Sequence, residues 1–375
     1  MKIGVDCRKI FNPITNEGAG IERYVFNLVK NLIEIDENNQ YVLFVPKRYP
    51  QEALDILIKR QANVKLIPIS DGKIPFFSNH LLFALELRRA SLDLAIFPAN
   101  TIPIGYNRRS FLFIHDLIIY KHPEWFPAGQ FFSRKIAVPL SIKKSDKILA
   151  ISQAVKTDLE QLFGVQSNKI KIIYPSIDIY TEVDEETENK IIAKYNLKKR
   201  YIFFVGTIEP RKNLENLIRA FTKISSAMAD VDLYIAGNIG WHYERIFQAA
   251  KTSGGKSNIR FLGAVSNREK LVLMKEAMIF AFISWDEGFG MPVLEAMKIG
   301  LPVITSSCGG LGELVYDQRQ IVRPGDVNDI AAKLKNLLED QEIRKNIIEK
   351  QRKWAENFSW RISVQKLLKI IEGEQ

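Results

Sequence analysis

Short apolar runs alternate with helix-patterned stretches along this chain, and the alternation happens twice. Runs of four to six residues fall at 2–7, 41–45, 64–68, 94–97, 111–114, 147–151 and 171–174. Runs this short and this continuously apolar read as strands buried on both faces, as in a parallel sheet covered by helices. After the first of them, Gly18-Ala19-Gly20 opens a helical pattern that lasts to Ile33. The series breaks at 175–178, and the acidic stretch 182–188 reads as a loop at or just beyond a domain boundary.

The alternation then restarts. Strands are predicted at 201–205, 232–236, 259–262, 279–284, 303–305 and 312–315, with a short edge at 321–322. A helix is predicted over 213–226 and another over 327–354, and Ser359 reads as the N-cap of a last helix ending near Ile371. No repeat of fixed period is present. Two βα series imply two doubly wound α/β domains, residues 1–177 and 178–357, with ligands expected at strand carboxyl ends facing a cleft between them.

Composition narrows the function. At 375 residues the chain exceeds the ~150 residues of one typical domain. Hydrophobic residues at 46% and charged residues at 26% exclude a disordered or fibrous protein. No apolar stretch reaches the ~18–20 residues of a spanning helix, and charges interrupt the first eight residues, unlike a signal peptide. Cys7 and Cys308 are the only cysteines, too few for a disulfide framework or a thiolate metal site. These features point to a soluble protein of a reducing compartment, expected in the cytoplasm.

Charge is unevenly spread. Residues 1–177 hold 24 basic and 16 acidic side chains, a balance of +8 out of +10 for the chain. A solvated basic face and attraction to an anionic membrane surface both account for this. Nucleic acid is not expected, since no motif for it accompanies the charge and the nearby aromatics read as helix core. Ile74-Pro75-Phe76-Phe77 and Leu81-Leu82-Phe83 beside Arg88-Arg89, and Phe131-Phe132 beside Arg134-Lys135, are the segments suited to press into an interface; they also read as core aromatics beside solvated cations.

Four motifs carry candidate chemistry. The first is Ser284-Trp285-Asp286-Glu287-Gly288-Phe289-Gly290-Met291-Pro292-Val293-Leu294-Glu295, a strand running through a two-glycine turn into a helix with Pro292 at its start. Glu287 then lies on the loop, Glu295 in the first helical turn, and free N–H groups at the helix start suit a diphosphate. The plainer reading makes Glu287 a solvated loop residue and Glu295 a partner of the helix dipole. The second motif runs from Gly206-Thr207 to Arg211-Lys212-Asn213, again strand, glycine, loop and helix start, with two cations suited to phosphate oxygens or simply exposed. The third is His115-Asp116 at a strand end, where a site histidine and a buried structural one are both open. The fourth is the Gly18–Gly20 loop, a weak phosphate signal. Asp230-Val231-Asp232 has the Asp-x-Asp form used by metal-dependent sugar transferases, but it precedes a strand and reads as a turn.

Together these motifs resemble the retaining GT-B glycosyltransferases of family 4, the glycosyl transferases group 1, over nearly the whole chain. The resemblance rests on Glu287-x7-Glu295 within EGFGMPVLEAM and the GLPVITS that follows, on GTIEPRKNLENLIRAF, on MKIGVDCRKI with GAGIERYVFNLVKNL, and on the late FSW. It points to the branch of bacterial mannosyltransferases that build surface polysaccharides. It implies an acceptor-side first domain, a nucleotide-sugar-binding second domain, and a helix at 358–375 that packs back on the first. It also implies transfer of a hexose, mannose from GDP-mannose in the first instance, to a glycan or lipid-linked glycan, with retention and with no cofactor or metal. By the same resemblance Glu287 would hold donor-sugar hydroxyls, and backbone groups of Gly288, Phe289 and Gly290 the sugar. Backbone groups of Val293 and Leu294 would hold the diphosphate, Glu295 the ribose, and Gly206, Thr207, Arg211 and Lys212 would line or neutralise the diphosphate. Val265 would meet the base, His115 the sugar or reaction centre, and Gly18 and Gly20 the diphosphate and acceptor. Many relatives carry Arg directly after the glycine matching Gly206, where this chain has Thr207. A nucleotide-sugar epimerase of the same fold and a non-catalytic nucleotide-sugar-binding protein are the alternatives.

Overall fold

A computed structural model describes residues 1–375 except positions 16, 19, 60, 62, 71–77, 128, 130, 131, 179–182, 253–257, 316, 374 and 375. The chain forms two compact units. The first takes Met1–Lys121, Ala128–Ser176 and Phe358–Gln375, and the second takes His122–Pro127 and Ile177–Asn357.

The first unit is built on a seven-stranded sheet: β1 (Lys2–Asp6), β2 (Gln40–Pro46), β3 (Val64–Ile69), β4 (Leu94–Phe97), β5 (Ser110–Ile114), β6 (Lys147–Ala150) and β7 (Ile170–Ile172). Its order is β3-β2-β1-β4-β5-β6-β7 and its ladders are parallel. Val5 of β1 sits opposite Leu43 on one side and Ile96 on the other. Every residue of β4 and β5 is buried, which is why their sequences show no polar alternation. Edge strand β3 is only half-buried and carries Pro68, whose missing donor an edge tolerates.

Helix Gly20–Ile35 buries Tyr24, Leu28 and Leu32 on one face, and each such side chain stabilises by roughly 1.5–3 kcal/mol. That face meets the last helix, Trp360–Glu372, with the Tyr24 and Trp360 rings 5.4 Å apart. Ser359 caps that helix by accepting the Ile362 N–H at 3.2 Å, and Ser363 donates to the Tyr174 carbonyl at 2.6 Å. The final segment of sequence thus completes the core of the first unit.

Several of this unit's cations are committed to carbonyl groups. Lys144 donates to the carbonyls of Pro103, Ile104 and Tyr106, and burial pushes its ammonium down to about 8. Lys169 donates to Ile142 and Lys143 at the end of helix Val138–Lys144, and Arg88 to Gly105. Of the proposed interfacial aromatics, Phe83 is buried core, while Ile74–Phe77 and Phe131 lie outside the described residues. Among the described residues no helix is long and apolar enough to cross a membrane.

The second unit holds a six-stranded parallel sheet of β8 (Tyr201–Val205), β9 (Asp232–Ala236), β10 (Asn258–Gly263), β11 (Ile279–Phe282), β12 (Val303–Ser306) and β13 (Ile321–Val322), ordered β10-β9-β8-β11-β12-β13. Strand order reverses at β8, which pairs with β9 on one side and β11 on the other. The loops leaving β8 and β11 therefore start side by side.

Three expectations are corrected. The acidic stretch after 182 is not a loop throughout: Asp184 caps helix Glu185–Tyr195, whose first turn gathers Glu185, Glu186 and Glu188 at the positive end of the dipole. Residues 311–314 form a helical turn instead of a strand, a choice that so short a run, with Glu313 inside it, cannot reveal by periodicity. The helix expected over 327–354 is two, Val327–Glu339 and Gln341–Ala355, because Asp340 ends the first and caps the second through the Ile343 N–H at 2.9 Å.

The carboxyl edge of the second sheet is closed by backbone contact. Gly206 donates to the Ala236 carbonyl at 3.0 Å and Gly237 to the Gly263 carbonyl at 2.7 Å. Gly237 has φ +138°, and a Cβ there would lie 1.9 Å from the Gly206 carbonyl oxygen. Gly237→Ala is expected to lower stability by about 1–3 kcal/mol or more, read as a drop in thermal midpoint. Gly20→Ala, where nothing lies within 4 Å of the added methyl, is expected to leave the midpoint unchanged or raised.

Candidate active site

The chain leaves buried β8 at Gly206 and Thr207, continues its pairing through Ile208 N–H to Asn238 O at 2.9 Å, and turns through a single 3-10 turn, Pro210–Lys212. Asn213 follows with φ 56°, and its amide donates to Ile283 O at 3.2 Å and Pro324 O at 2.7 Å. Trp285 N–H donates to Arg211 O at 2.9 Å. These bonds fasten the loop after β8 to the loop after β11.

The two loops meet in a cluster of four charges. Glu287 takes Lys212 Nζ on Oε1 at 2.5 Å and Arg211 Nη1 on Oε2 at 2.6 Å. Arg211 also reaches Glu209 Oε1 at 2.7 Å and the Asp286 carbonyl at 3.2 Å. Lys212 and Glu287 are buried, only 8% and 9% exposed, so neither is the solvated loop charge of the plainer reading. The Lys212 ammonium lies 4.8 Å from the centre of the Phe282 ring. Burial by itself would raise the Glu287 carboxyl, but Arg211 and Lys212 outweigh it and hold the group down at about 2. Burial pulls Lys212 the other way, below its ordinary value, with Glu287 opposing.

Beyond Glu287 the loop turns through Gly288 and buried Phe289 to Gly290, which has φ +106° and precedes helix Met291–Ile299. The Gly290 carbonyl already accepts the N–H groups of Val293 at 2.9 Å and Leu294 at 3.2 Å. Those two donors, expected to be free for a diphosphate, are therefore shared with the helix itself. Glu295 lies in the second turn, not the first, and both its oxygens take Lys270 Nζ, at 2.6 and 2.7 Å. Lys270 belongs to helix Asn267–Lys275, capped by Ser266 directly after Val265, so Val265 and Glu295 border one region.

Sequence reasoning missed Glu209, Asn213, Lys270 and the Gly309–Gly310 loop. Gly310 N–H donates to Glu287 O at 2.8 Å, and a Cβ on Gly310 would sit 2.4 Å from the Gly288 carbonyl oxygen. The signal was present as paired glycines after strand β12. Asp230 and Asp232 lie at the amino end of β9, tied to Arg200 at 2.5 Å and Lys198 at 3.1 Å. Among the described residues no group of three or more His, Cys, Asp or Glu side chains is placed to hold a metal ion.

In the first unit His115 follows β5 and is buried. Its Nε2 lies 2.7 Å from the Pro98 carbonyl, which can only accept, so Nε2 carries the proton. Its main-chain N–H donates to Asn100 Oδ1 at 2.8 Å, and the ring meets Tyr24 edge-on at 4.7 Å. Burial pushes the imidazole down to about 4, so it is neutral near pH 7 and suited to orient a hydroxyl, not to deliver a proton. Gly18 has φ +111°, Gly20 opens the helix, and Ala19 lies outside the described residues.

The depressed Glu287 carboxyl links the cluster to stability. Its ionised form contributes above the ordinary carboxylate range, and that contribution is lost as pH falls from about 5 toward 2, on the order of 3 kcal/mol. Glu287→Gln is expected to cost about 3–5 kcal/mol near neutrality, chiefly by leaving buried Lys212 without its carboxylate while Arg211 keeps Glu209. It should also flatten the acid limb in circular-dichroism unfolding across that pH range.

The sequence and the fold are similar to those of known proteins. The family model "Glycosyl transferases group 1" matches residues 185–354, and "Glycosyltransferase Family 4" matches residues 18–180. The chain is 28% identical to O-antigen chain mannosyltransferase B of Escherichia coli, over 96% of each chain. Its fold is similar to that of Anabaena Alr3699/HepE, solved with UDP and glucose (TM-score 0.76, 19% identity, 100% of both chains). Sucrose-phosphate synthase of Thermosynechococcus elongatus is similar too (TM-score 0.77, 18% identity, 100% of this chain and 98% of that one). Two parallel-sheet α/β units, the paired loops at Glu287 and two matched models spanning most of the sequence lead to one statement: the chain belongs to the family 4 glycosyltransferases of the GT-B fold.

Proposed function

We propose that the protein transfers a hexosyl group, with retention and without a metal, from a nucleotide diphosphate sugar to a hydroxyl of a glycan or lipid-linked glycan. GDP-mannose is the lead donor, supported by the name of the Escherichia coli relative. The observation that carries the reading is the Arg211–Lys212 pair held against Glu287 where β8 adjoins β11.

Cleavage of the donor's glycosidic bond leaves negative charge on the diphosphate. Lys212 is buried and Arg211 half-buried, and both are prepositioned, so their attraction grows with that charge and lowers the barrier. A bound diphosphate divides these cations with Glu287, which turns a carboxylate oxygen toward the sugar hydroxyls. Glu295, already fixed by Lys270, accepts from ribose hydroxyls. The leaving phosphate takes the acceptor proton on the same face of the sugar, which accounts for retention without a protein nucleophile. His115 orients a donor or acceptor hydroxyl.

A second feature supports work at an anionic membrane surface. Leu81, Leu82, Leu85, Ile136 and Leu140 are exposed apolar side chains on helical segments that also carry Arg89, Lys135 and Lys143. Lys144, committed to three carbonyls, is not part of that face.

Lys212→Ala is expected to reduce kcat/KM on the order of 10²–10³-fold, and Glu295→Ala to raise the donor KM by a loss of roughly 1.5–3 kcal/mol with a smaller effect on kcat. Acceptor-dependent release of nucleoside diphosphate measures both and should persist in EDTA; a strict divalent requirement sinks the metal-free reading. Thermal shift against GDP-, UDP- and dTDP-sugars identifies the donor. Co-sedimentation with anionic vesicles should appear at low salt and vanish in an Arg89, Lys135 and Lys143 to Glu triple variant.

A further inference from the structure

One group of aromatic side chains in the second unit lies outside the roles given above. Segment His122–Pro127 leaves the first unit's chain and packs with the second. Its His122 and Trp125 rings are stacked, 3.9 Å apart and 14° from parallel, and His122 Nδ1 lies 3.2 Å from Glu124 Oε1. Trp241, on the loop after β9, donates its indole N–H to the Trp125 carbonyl, and its ring lies 6.0 Å from Phe126. Next to Trp241, Ile239 is 58% exposed and His242 holds φ +52°, unusual for a residue other than glycine. Backbone held in this region without glycine tends to mark functional loops.

This loop is joined to the cation loop. Ile208 N–H donates to Asn238 O at 2.9 Å and Gly240 N–H to Ile208 O at 3.0 Å. A Cβ on Gly240 would lie 2.8 Å from Thr207 Cγ2 and 3.5 Å from Glu209 Cβ. The Trp241 loop is therefore fixed to the strand-end segment that carries Arg211 and Lys212, at the same carboxyl edge of the sheet.

We propose that Trp241, Trp125 and Phe126, with exposed Ile239, form a subsite for a neutral hexopyranose of the acceptor glycan; the proposal rests on the glycosyltransferase reading. The Trp241 N–H is already bonded within the protein, so what its half-buried side chain offers a ligand is ring surface. Ring faces are electron-rich and bind the C–H face of a pyranose, whose axial hydrogens are weakly positive. Trp is rigid, so little conformational entropy is lost on binding. Asn238, His242 and Glu244, close to Trp241 along the chain, are exposed polar residues of the kind that hydroxyl recognition requires. The uncharged sugar needs no cation here, and the rings sit beside the cation loop, not on it, which suits the acceptor better than the diphosphate.

The test uses the full chain with mannotriose and maltotriose as probes. Mannotriose or maltotriose at millimolar concentration is expected to quench tryptophan fluorescence saturably without any donor present. Trp241→Ala and Trp125→Ala should each abolish the quench and raise acceptor KM roughly tenfold or more, with donor KM and acceptor-independent donor hydrolysis within about twofold of wild type. Trp241→Phe should restore part of the affinity. Where Trp241→Ala lowers the thermal midpoint, Ile239→Asp carries the same test, since that exposed side chain supports no core. Saturable quenching that persists in these variants, an unchanged acceptor KM, or no binding of either sugar by wild type overturns the subsite. Loss of donor turnover in wild type under all conditions would instead overturn the glycosyltransferase reading, leaving the sugar-binding measurement to stand or fall separately.

Discussion

Glu287 is a buried carboxylate between buried Lys212 and half-buried Arg211, and much of the second unit serves to make that arrangement tenable. A carboxylate taken out of water is costly unless it is paired and hydrogen-bonded. Here Lys212 and Arg211 occupy one oxygen each, at 2.5 and 2.6 Å, and Glu209 balances the second cation. The cluster is neutral as a set and unstable in any part. The sheet topology makes it possible: strand order reverses at β8, so the loops after β8 and β11, far apart in sequence, leave the sheet as neighbours.

Backbone packing holds the same region at close range. Gly206, Gly237 and Gly240 let the loops after β8 and β9 touch main chain to main chain, and Gly309–Gly310 press against the Glu287 loop. Small residues here remove side chains from the carboxyl edge and leave peptide groups and a few charges facing it. In such an environment electrostatic interactions are stronger than in water, and little rearrangement is needed when charge develops. In the first unit the strand-end histidine is buried and neutral, and Gly20 opens the first helix.

The charge balance of the first unit also takes on another meaning in three dimensions. Lys144, Lys169, Arg88 and Arg109 donate to main-chain carbonyls, closing helix ends and fixing loops. Part of the +8 is therefore structural: these cations keep their charge but are held in place and cannot swing out to a ligand. Leu81, Leu82 and Leu85 are exposed apolar side chains of the same unit.

The grouping of His122–Pro127 with the second unit was not legible in the amino-acid sequence, which by itself determined the two βα series and the loops holding Arg211, Lys212 and Glu287. Those features depend on local patterns: continuous apolar runs for doubly covered strands, glycines at strand ends, and a Ser359 cap for the last helix. The acidic stretch at 185–188, the helical turn at 311–314 and the division at Asp340 were decided by capping and packing, which a short apolar or charged run leaves open. The pairing of Glu287 with both cations, the Lys270 partner of Glu295 and the bond from the Trp241 indole to the Trp125 carbonyl were settled only by tertiary structure. Each joins groups through a distance that sheet order sets, and sheet order is a long-range property that no local window of residues contains.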